Sequence, residues 1–113
     1  MKILAIDRVR NGATPEKIRA LFLHELRQTV RMYMGGLVRE MYFRQDRSGT
    51  VLVLEAESVE EADALLGQLP LVREGQIAFE LIPLGPYLPL GLLLDDDEDG
   101  SDDAQAEGTG RAN

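Results

Sequence analysis

A glutamate lies on the apolar face of the first helix that the sequence predicts. At about 100° per residue, a helix over residues 15 to 34 places Glu25 near the centre of a stripe formed by Ile18, Phe22, Thr29, Met32 and Tyr33. A carboxylate without a partner in an apolar interior loses several kcal/mol of solvation free energy, and such groups are more often functional than surface glutamates are. Glu25 is therefore the leading candidate for a functional residue. Two alternatives stay open, because the side chain could extend to water at the helix edge or make a purely structural hydrogen bond.

The elements that must position this glutamate follow a βαββαβ order. Apolar and β-branched runs predict strands over residues 2–9, 38–44, 50–56 and 77–82. The long helix begins after the cap Thr14, with Pro15 at its first position. A second helix over roughly residues 59–68 begins at a capping box formed by Ser58 and Glu61. This order predicts an α+β, ferredoxin-like sandwich in which one antiparallel sheet carries both helices on the same face.

Both faces of the predicted strands are apolar, which one layer of helices does not explain. In the third strand Val51 and Val53 alternate with Leu52 and Leu54. An antiparallel sheet covered on one face should carry polar residues on the other, so a second layer is required. We expect a second copy of the chain to pack sheet against sheet. The apolar segment over residues 84–94 should cover a partner's edge or fold back on its own domain.

Composition limits the kinds of site that the chain can build. The 113 residues fit one domain, and with no cysteine and one histidine neither disulfides nor a tight zinc site is expected. Residues 95–113 carry −7 of the net charge of −8, and residues 1–94 carry −1. We therefore predict a folded domain over 1–94 and a disordered acidic tail over 95–113, which is either a solubilising appendage or a lure for a basic partner.

The N-terminus predicts the cellular compartment. Its short apolar run, MKILAIDRV, is typical of a first strand and too short for a signal peptide or a membrane span. We expect a cytoplasmic protein that makes no association with a membrane.

Residues 2–86 resemble the muconolactone isomerase-like proteins of the dimeric α+β barrel superfamily. The resemblance rests on the TPEK helix start, on Glu25, Arg31, Gly36 and Arg39, on the SVEEA capping box, and on the QLPL turn followed by VREGQIAFELIPLGPY. It implies a ferredoxin-like fold that dimerises through its sheets, with dimers able to build larger rings. The named enzyme of the family moves a proton within an unsaturated lactone carboxylate and uses no cofactor or metal. This chain differs in its second strand, which lacks tryptophan and has Val38 and Tyr42 instead.

The residues of this chain suit that reaction. Moving a double bond next to a carbonyl needs a group that lifts a proton from carbon and a group that stabilises the enolate. Glu25 would be the base, because desolvation raises the pKa of a carboxyl in a dry pocket. Arg39 could bind a substrate carboxylate, His24 and Gln28 could reach the pocket mouth, and Tyr42 could donate a hydrogen bond to the enolate. Each of these four substrate-binding candidates also has a structural interpretation, as a solvated residue or, for Tyr42, a core residue.

Two other classes of function compete with an isomerase. Ferredoxin-like sheets can bind RNA, but that use needs exposed aromatic and basic residues on the sheet, whereas these strands are largely aliphatic and the body is near neutral. No nucleic-acid partner is expected. A non-catalytic dimeric module that binds a small molecule would need the same pocket, so this alternative remains open.

Overall fold

The computed structural model of the protein describes residues 1–95, which form a four-stranded sheet with helices. The elements in chain order are β1 (Lys2–Val9), α1 (Pro15–Met34), β2 (Val38–Phe43), β3 (Thr50–Glu55), α2 (Val59–Leu66), α3 (Pro70–Arg73), β4 (Ile77–Leu84) and α4 (Pro89–Asp95). The sheet order is β2-β3-β1-β4 and every neighbouring pair is antiparallel. The predicted ferredoxin-like sandwich is therefore confirmed.

Side-chain caps fix the starts of the two longer helices as predicted. Thr14 Oγ1 accepts a hydrogen bond from the backbone N–H of Lys17 at 3.2 Å, and Ser58 Oγ accepts one from Glu61 N–H at 3.0 Å. The Glu61 carboxylate accepts in turn from the backbone N–H of Glu57 at 2.7 Å. Each cap contributes about 1 kcal/mol by satisfying an amide that the helix cannot pair.

The chain between α2 and β4 contains a short helix that the sequence pattern did not predict. α2 ends at Leu66, and α3 begins at Pro70 after a hydrogen-bonded turn over residues 67–69. Proline suits the first helical position because its missing N–H would be unpaired there anyway. A helix of four residues is too short to show a periodic apolar pattern, so only the stop after α2 was visible in the sequence.

The hydrophobic core fills one half of the space between the helices and the sheet. Ile3 pairs with Leu54 and Ala5 with Leu52 across β1 and β3, and all four side chains are buried. Ala62 and Leu66 of α2, together with Leu69 and Val38, complete the cluster. This packed half supplies most of the apolar burial of the sandwich.

The other half of the sandwich, beneath α1, is open. Glu25 is the one residue of α1 that is buried. Phe22, on the predicted apolar stripe, and Leu26, next to Glu25, have 45% and 43% of their surfaces exposed. The stripe of α1 thus lines a space above the sheet, where the sequence had predicted a helix face in contact with the core.

The outer face of the sheet, opposite the helices, is apolar and incompletely covered. Leu4, Ile6, Val51 and Val53 are half-buried there, at alternate positions to the core residues of the same strands. Neither the segment leading into α4 nor α4 itself packs onto the sandwich, since Leu88 and Leu94 are 77% and 78% exposed. Of the predicted acidic tail, only the backbone of Asp95, where α4 ends, lies within the described residues. None of the helices within residues 1–95 has the length and apolar character needed to cross a membrane.

Gly49, before β3, lets the β2–β3 hairpin approach β1. Its φ is +152°, and an added Cβ would lie 3.1 Å from both Arg44 Cδ and Asp7 Oδ1. We expect Gly49→Ala to lower the free energy of unfolding by about 1 kcal/mol or more, because alanine is strained at this φ and must displace both neighbours. Urea denaturation measures the change.

Gly85→Ala is the matched control for this prediction. No atom lies within 4 Å of its added Cβ, and its φ is outside the left-handed region. Its free energy of unfolding should stay within about 0.5 kcal/mol of the parent protein. Equal destabilisation by the two substitutions would contradict the role given to Gly49.

Candidate functional site

The open half of the sandwich contains a cavity of about 1030 Å³ between α1 and the inner face of the sheet. Ile18, Phe22 and Leu26 of α1 form one wall, and β4 contributes Phe79 to another. Phe43 lines the cavity from the edge strand β2, so all three phenylalanines of the chain face this space. A concave, largely apolar cavity with a few polar groups is the usual form of a small-molecule site.

Glu25 is the buried polar group of this cavity, with 8% of its surface exposed. The backbone N–H of Leu71, in α3, donates a hydrogen bond to Glu25 Oε1 at 2.8 Å. The second oxygen, Oε2, makes no hydrogen bond with any described residue. Every fully buried side-chain oxygen or nitrogen among the described residues does have a hydrogen-bond partner, so Oε2 is not fully buried. Oε2 therefore remains accessible from the cavity. Glu25 thus makes the structural hydrogen bond that the sequence left open as an alternative, and it also keeps one accessible oxygen.

The pKa of Glu25 is raised above its ordinary value of 4.5. Desolvation by burial is the main cause, because it penalises the charged form. The hydrogen bond from Leu71 opposes this effect, and the negative charge of Asp7 adds to it. A carboxyl whose pKa is shifted toward neutrality can both accept and return a proton.

Asp7 is a second carboxylate on the cavity wall. It lies on β1 at the same parity as Ile3 and Ala5, so its side chain points to the inner face of the sheet. Its Oδ1 accepts a hydrogen bond from Thr50 N–H at 3.0 Å, which holds the start of β3 against β1. Asp7 was missed at the sequence level, although the period-2 alternation along β1 was a sufficient signal.

The β2–β3 hairpin brings arginines to the rim of the cavity. Arg44 forms a bidentate pair with Asp46, with Nε to Oδ1 at 2.9 Å and Nη2 to Oδ2 at 2.6 Å. This pair lowers the pKa of Asp46 to about 2. Arg47 also lines the cavity, and no ion pair within residues 1–95 involves it. Arg47 was missed too, because a hairpin loop has no periodic pattern that would show where its side chains point.

Tyr42 borders the cavity from the edge strand β2, but it pairs with Val51, so its side chain lies on the outer face of the sheet. Its hydroxyl donates to Glu40 Oε1 at 2.5 Å, and this hydrogen bond raises the pKa of Tyr42.

The remaining three predicted residues lie outside this cavity. Arg39 Nε donates to the carbonyl of Gly36 at 2.8 Å, on the exposed turn after α1. His24 and Gln28, whose Nε2 atoms are 3.4 Å apart, line a separate hollow of about 250 Å³ together with Gln68 and Arg73. Of the five predicted site residues, Glu25 alone therefore presents its side chain to the cavity, while Tyr42 lies on the outer face of the sheet and Arg39, His24 and Gln28 lie at other surfaces.

Metal binding has little support in the described part of the chain. Within residues 1–95, no three histidine, aspartate or glutamate side chains converge in an arrangement that could hold a metal ion. The polar groups that face the main cavity are carboxylates, hydroxyls and guanidinium groups.

Comparison with known proteins identifies the fold. No family model matches the sequence, and no curated protein matches it. The crystal structure of muconolactone isomerase matches with a TM-score of 0.62 and 23% identity, covering 76% of this chain and 90% of that one. The 5-chloro-2-hydroxyhydroquinone dehydrochlorinase of Burkholderia phenoliruptrix AC1100, in complex with 2,5-dihydroxybenzoquinone, matches with a TM-score of 0.61 and 17% identity, covering 75% of this chain and 94% of that one. The chain therefore has the muconolactone isomerase-like fold that the sequence resemblance implied.

Two substitutions of Glu25 separate its hydrogen bond from its charge. Glu25→Gln keeps an oxygen that can accept from Leu71 N–H, whereas Glu25→Leu leaves that buried donor unpaired. We expect Glu25→Leu to cost about 1–3 kcal/mol of unfolding free energy and Glu25→Gln to cost less at every pH. Urea denaturation of both variants tests this, and equal stability of the two would contradict the hydrogen-bond assignment.

The raised pKa of Glu25 also predicts a pH dependence. Its folded pKa lies above the unfolded value of about 4.5, so the stability that protonation contributes is present at low pH and is lost as the pH rises through the folded pKa. Glu25→Gln does not titrate. Its stability relative to the parent protein should therefore increase from about pH 4 to about pH 7, and a difference that is constant across this range would contradict the raised pKa.

Proposed function

We propose that the protein is a cofactor-independent isomerase that transfers a proton within a small unsaturated lactone or carboxylic acid. The observation that carries the proposal is the state of Glu25. One carboxylate oxygen is held by a backbone N–H, the other is accessible from an apolar cavity, and burial raises the pKa. Because its pKa is raised, this carboxylate is a stronger base than an exposed glutamate.

The proposed reaction needs only groups of this chain. Glu25 Oε2 takes a proton from a carbon next to the substrate carbonyl, and the electron pair of that C–H bond delocalises onto the carbonyl oxygen as an enolate. The protonated Glu25, whose proton can exchange with water in the open cavity, then returns a proton at the far carbon of the conjugated system, which moves the double bond.

The matched structures support an activity of this general kind. One of them is an isomerase, and the other is a dehydrochlorinase in complex with a small quinone. A second candidate is a non-catalytic module that binds a small molecule in the same cavity. The hydrogen bond from Leu71 favours this candidate, because it gives Glu25 a structural reason to be buried. A turnover measurement separates the two.

Proton transfer can be tested by deuterium exchange. Incubating muconolactone and related butenolide carboxylates with the protein in D₂O should place deuterium on the acidic carbon, detected by proton NMR. Glu25→Gln should slow this exchange by about 10²–10⁴-fold, because the amide cannot accept the proton. Glu60→Gln, an exposed glutamate of α2, is the matched control and should exchange at the parent rate. Exchange that is unchanged in Glu25→Gln would refute the assignment of the base.

The apolar outer face of the sheet supports a homodimer, with higher oligomers built from it. Covering Leu4, Val51 and Val53 with the same face of a second chain would remove an exposed apolar layer from water. Val53→Asp should therefore give a monomer or an unfolded chain, because the interface would bury an unpaired charge. Light scattering with circular dichroism distinguishes these results. Leu23→Asp, on the exposed side of α1, should keep the parent mass, and a monomeric parent protein at micromolar concentration would refute the dimer.

A further inference from the structure

The main cavity is large for a single-ring substrate. Pockets of roughly 300–1,000 Å³ hold drug-sized ligands, and this cavity, at about 1030 Å³, lies at the upper end of that range. A single-ring lactone would leave much of the apolar wall in contact with water, which forfeits the free energy that covering this surface provides.

The cavity walls suit flat rings. Phe22 on α1, Phe43 on β2 and Phe79 on β4 approach the space from three elements, and Met41 adds a polarisable side chain beside Phe43. Aromatic side chains bind planar rings by offset stacking and edge-to-face contacts, and thioethers make favourable contacts with ring edges. A chain that has only three phenylalanines places every one of them here.

The charges at the rim specify the sign of the ligand. Three arginines contribute to the lining, but Arg8 is paired with Glu80 and Arg44 with Asp46. Arg47, in the loop between β2 and β3, is left without an ion-pair partner among residues 1–95. An unpaired guanidinium at the edge of an apolar cavity favours a carboxylate, which it can bind through two hydrogen bonds.

We infer that the substrate of the proposed reaction is a planar, multi-ring unsaturated carboxylate, with its rings among the phenylalanines and its carboxylate on Arg47. The inference rests on the proposed function for the reaction, and on cavity size, aromatic lining and charge for the class of substrate. It identifies Arg47 of the hairpin as the residue that binds the substrate carboxylate. Arg39 does not have this role, because it donates to the Gly36 carbonyl outside the cavity.

Calorimetric titration with a graded set of acids tests the inference without requiring turnover. Benzoate, 2-naphthoate and anthracene-2-carboxylate differ by one fused ring at each step, and 2-naphthamide lacks the charge. Affinity should rise by about tenfold per added ring, as the buried apolar area grows. The amide should bind about tenfold more weakly than 2-naphthoate.

Arginine variants identify the cation. Arg47→Gln should lower the affinity for 2-naphthoate by about tenfold and leave the affinity for 2-naphthamide unchanged. The acid and the amide should then bind to this variant with similar affinity. Arg39→Gln should bind every probe as the parent protein does.

Three results would overturn the inference: affinity that does not rise along the ring series, no binding of any of the acids, or loss of carboxylate preference in Arg39→Gln instead of Arg47→Gln. Failure of the proposed reaction is distinguishable from these results. Ring-dependent, Arg47-dependent binding without deuterium exchange would support the ligand class and refute only the proton transfer.

Discussion

The burial of one carboxylate constrains the rest of this structure. Glu25 can remain away from water because the backbone N–H of Leu71 donates to it, which requires the short helix α3 to lie against α1. That contact holds α1 at one place, and the neighbouring residues Phe22 and Leu26 remain partly exposed above the sheet. A leucine at position 25 could pack without this arrangement, but it would leave the Leu71 amide unpaired. The cavity and the carboxylate are thus two consequences of the same packing.

Electrostatics divides the cavity into two regions. Asp7 and Glu25 are both carboxylates in a partly desolvated space, where like charges interact more strongly than in water. Asp7 accepts a hydrogen bond from the Thr50 amide, and burial raises the pKa of Glu25, with a smaller contribution from the charge of Asp7. The arginines lie on the hairpin at the rim, where solvent screens them. A neutralisable acid on α1 and a permanent cation on the hairpin give any bound molecule a preferred orientation.

The sequence predicted the fold well because each of its signals was local. Capping residues, alternating apolar runs and glycine turns fix where elements begin and end, and their order left one common topology. Glu25 was also found, since a helical stripe shows a misplaced charge directly. The partner of Glu25 could not be found, because a backbone N–H in a four-residue helix has no signature in sequence.

Arg39 and Arg47 both sit in or beside turns, and which of them faces the cavity depends on the path of the hairpin. A β-bulge between Val38 and Glu40 also shifts the parity of β2, so which side chains of that strand reach the cavity could not be read from alternation alone.

The two halves of the sandwich have opposite physical roles. The packed half, around Ile3, Leu54 and Leu66, buries enough apolar surface to hold the sheet and α2 together. The open half leaves apolar side chains of α1 and the sheet in contact with water, which lowers stability relative to a filled core. A ligand that fills this space would recover part of that apolar burial, so binding and folding should be coupled by mass action. Glu25 already makes its structural hydrogen bond in the empty cavity, so a ligand does not have to order the carboxylate when it binds. The binding free energy would then come mainly from covering the aromatic wall.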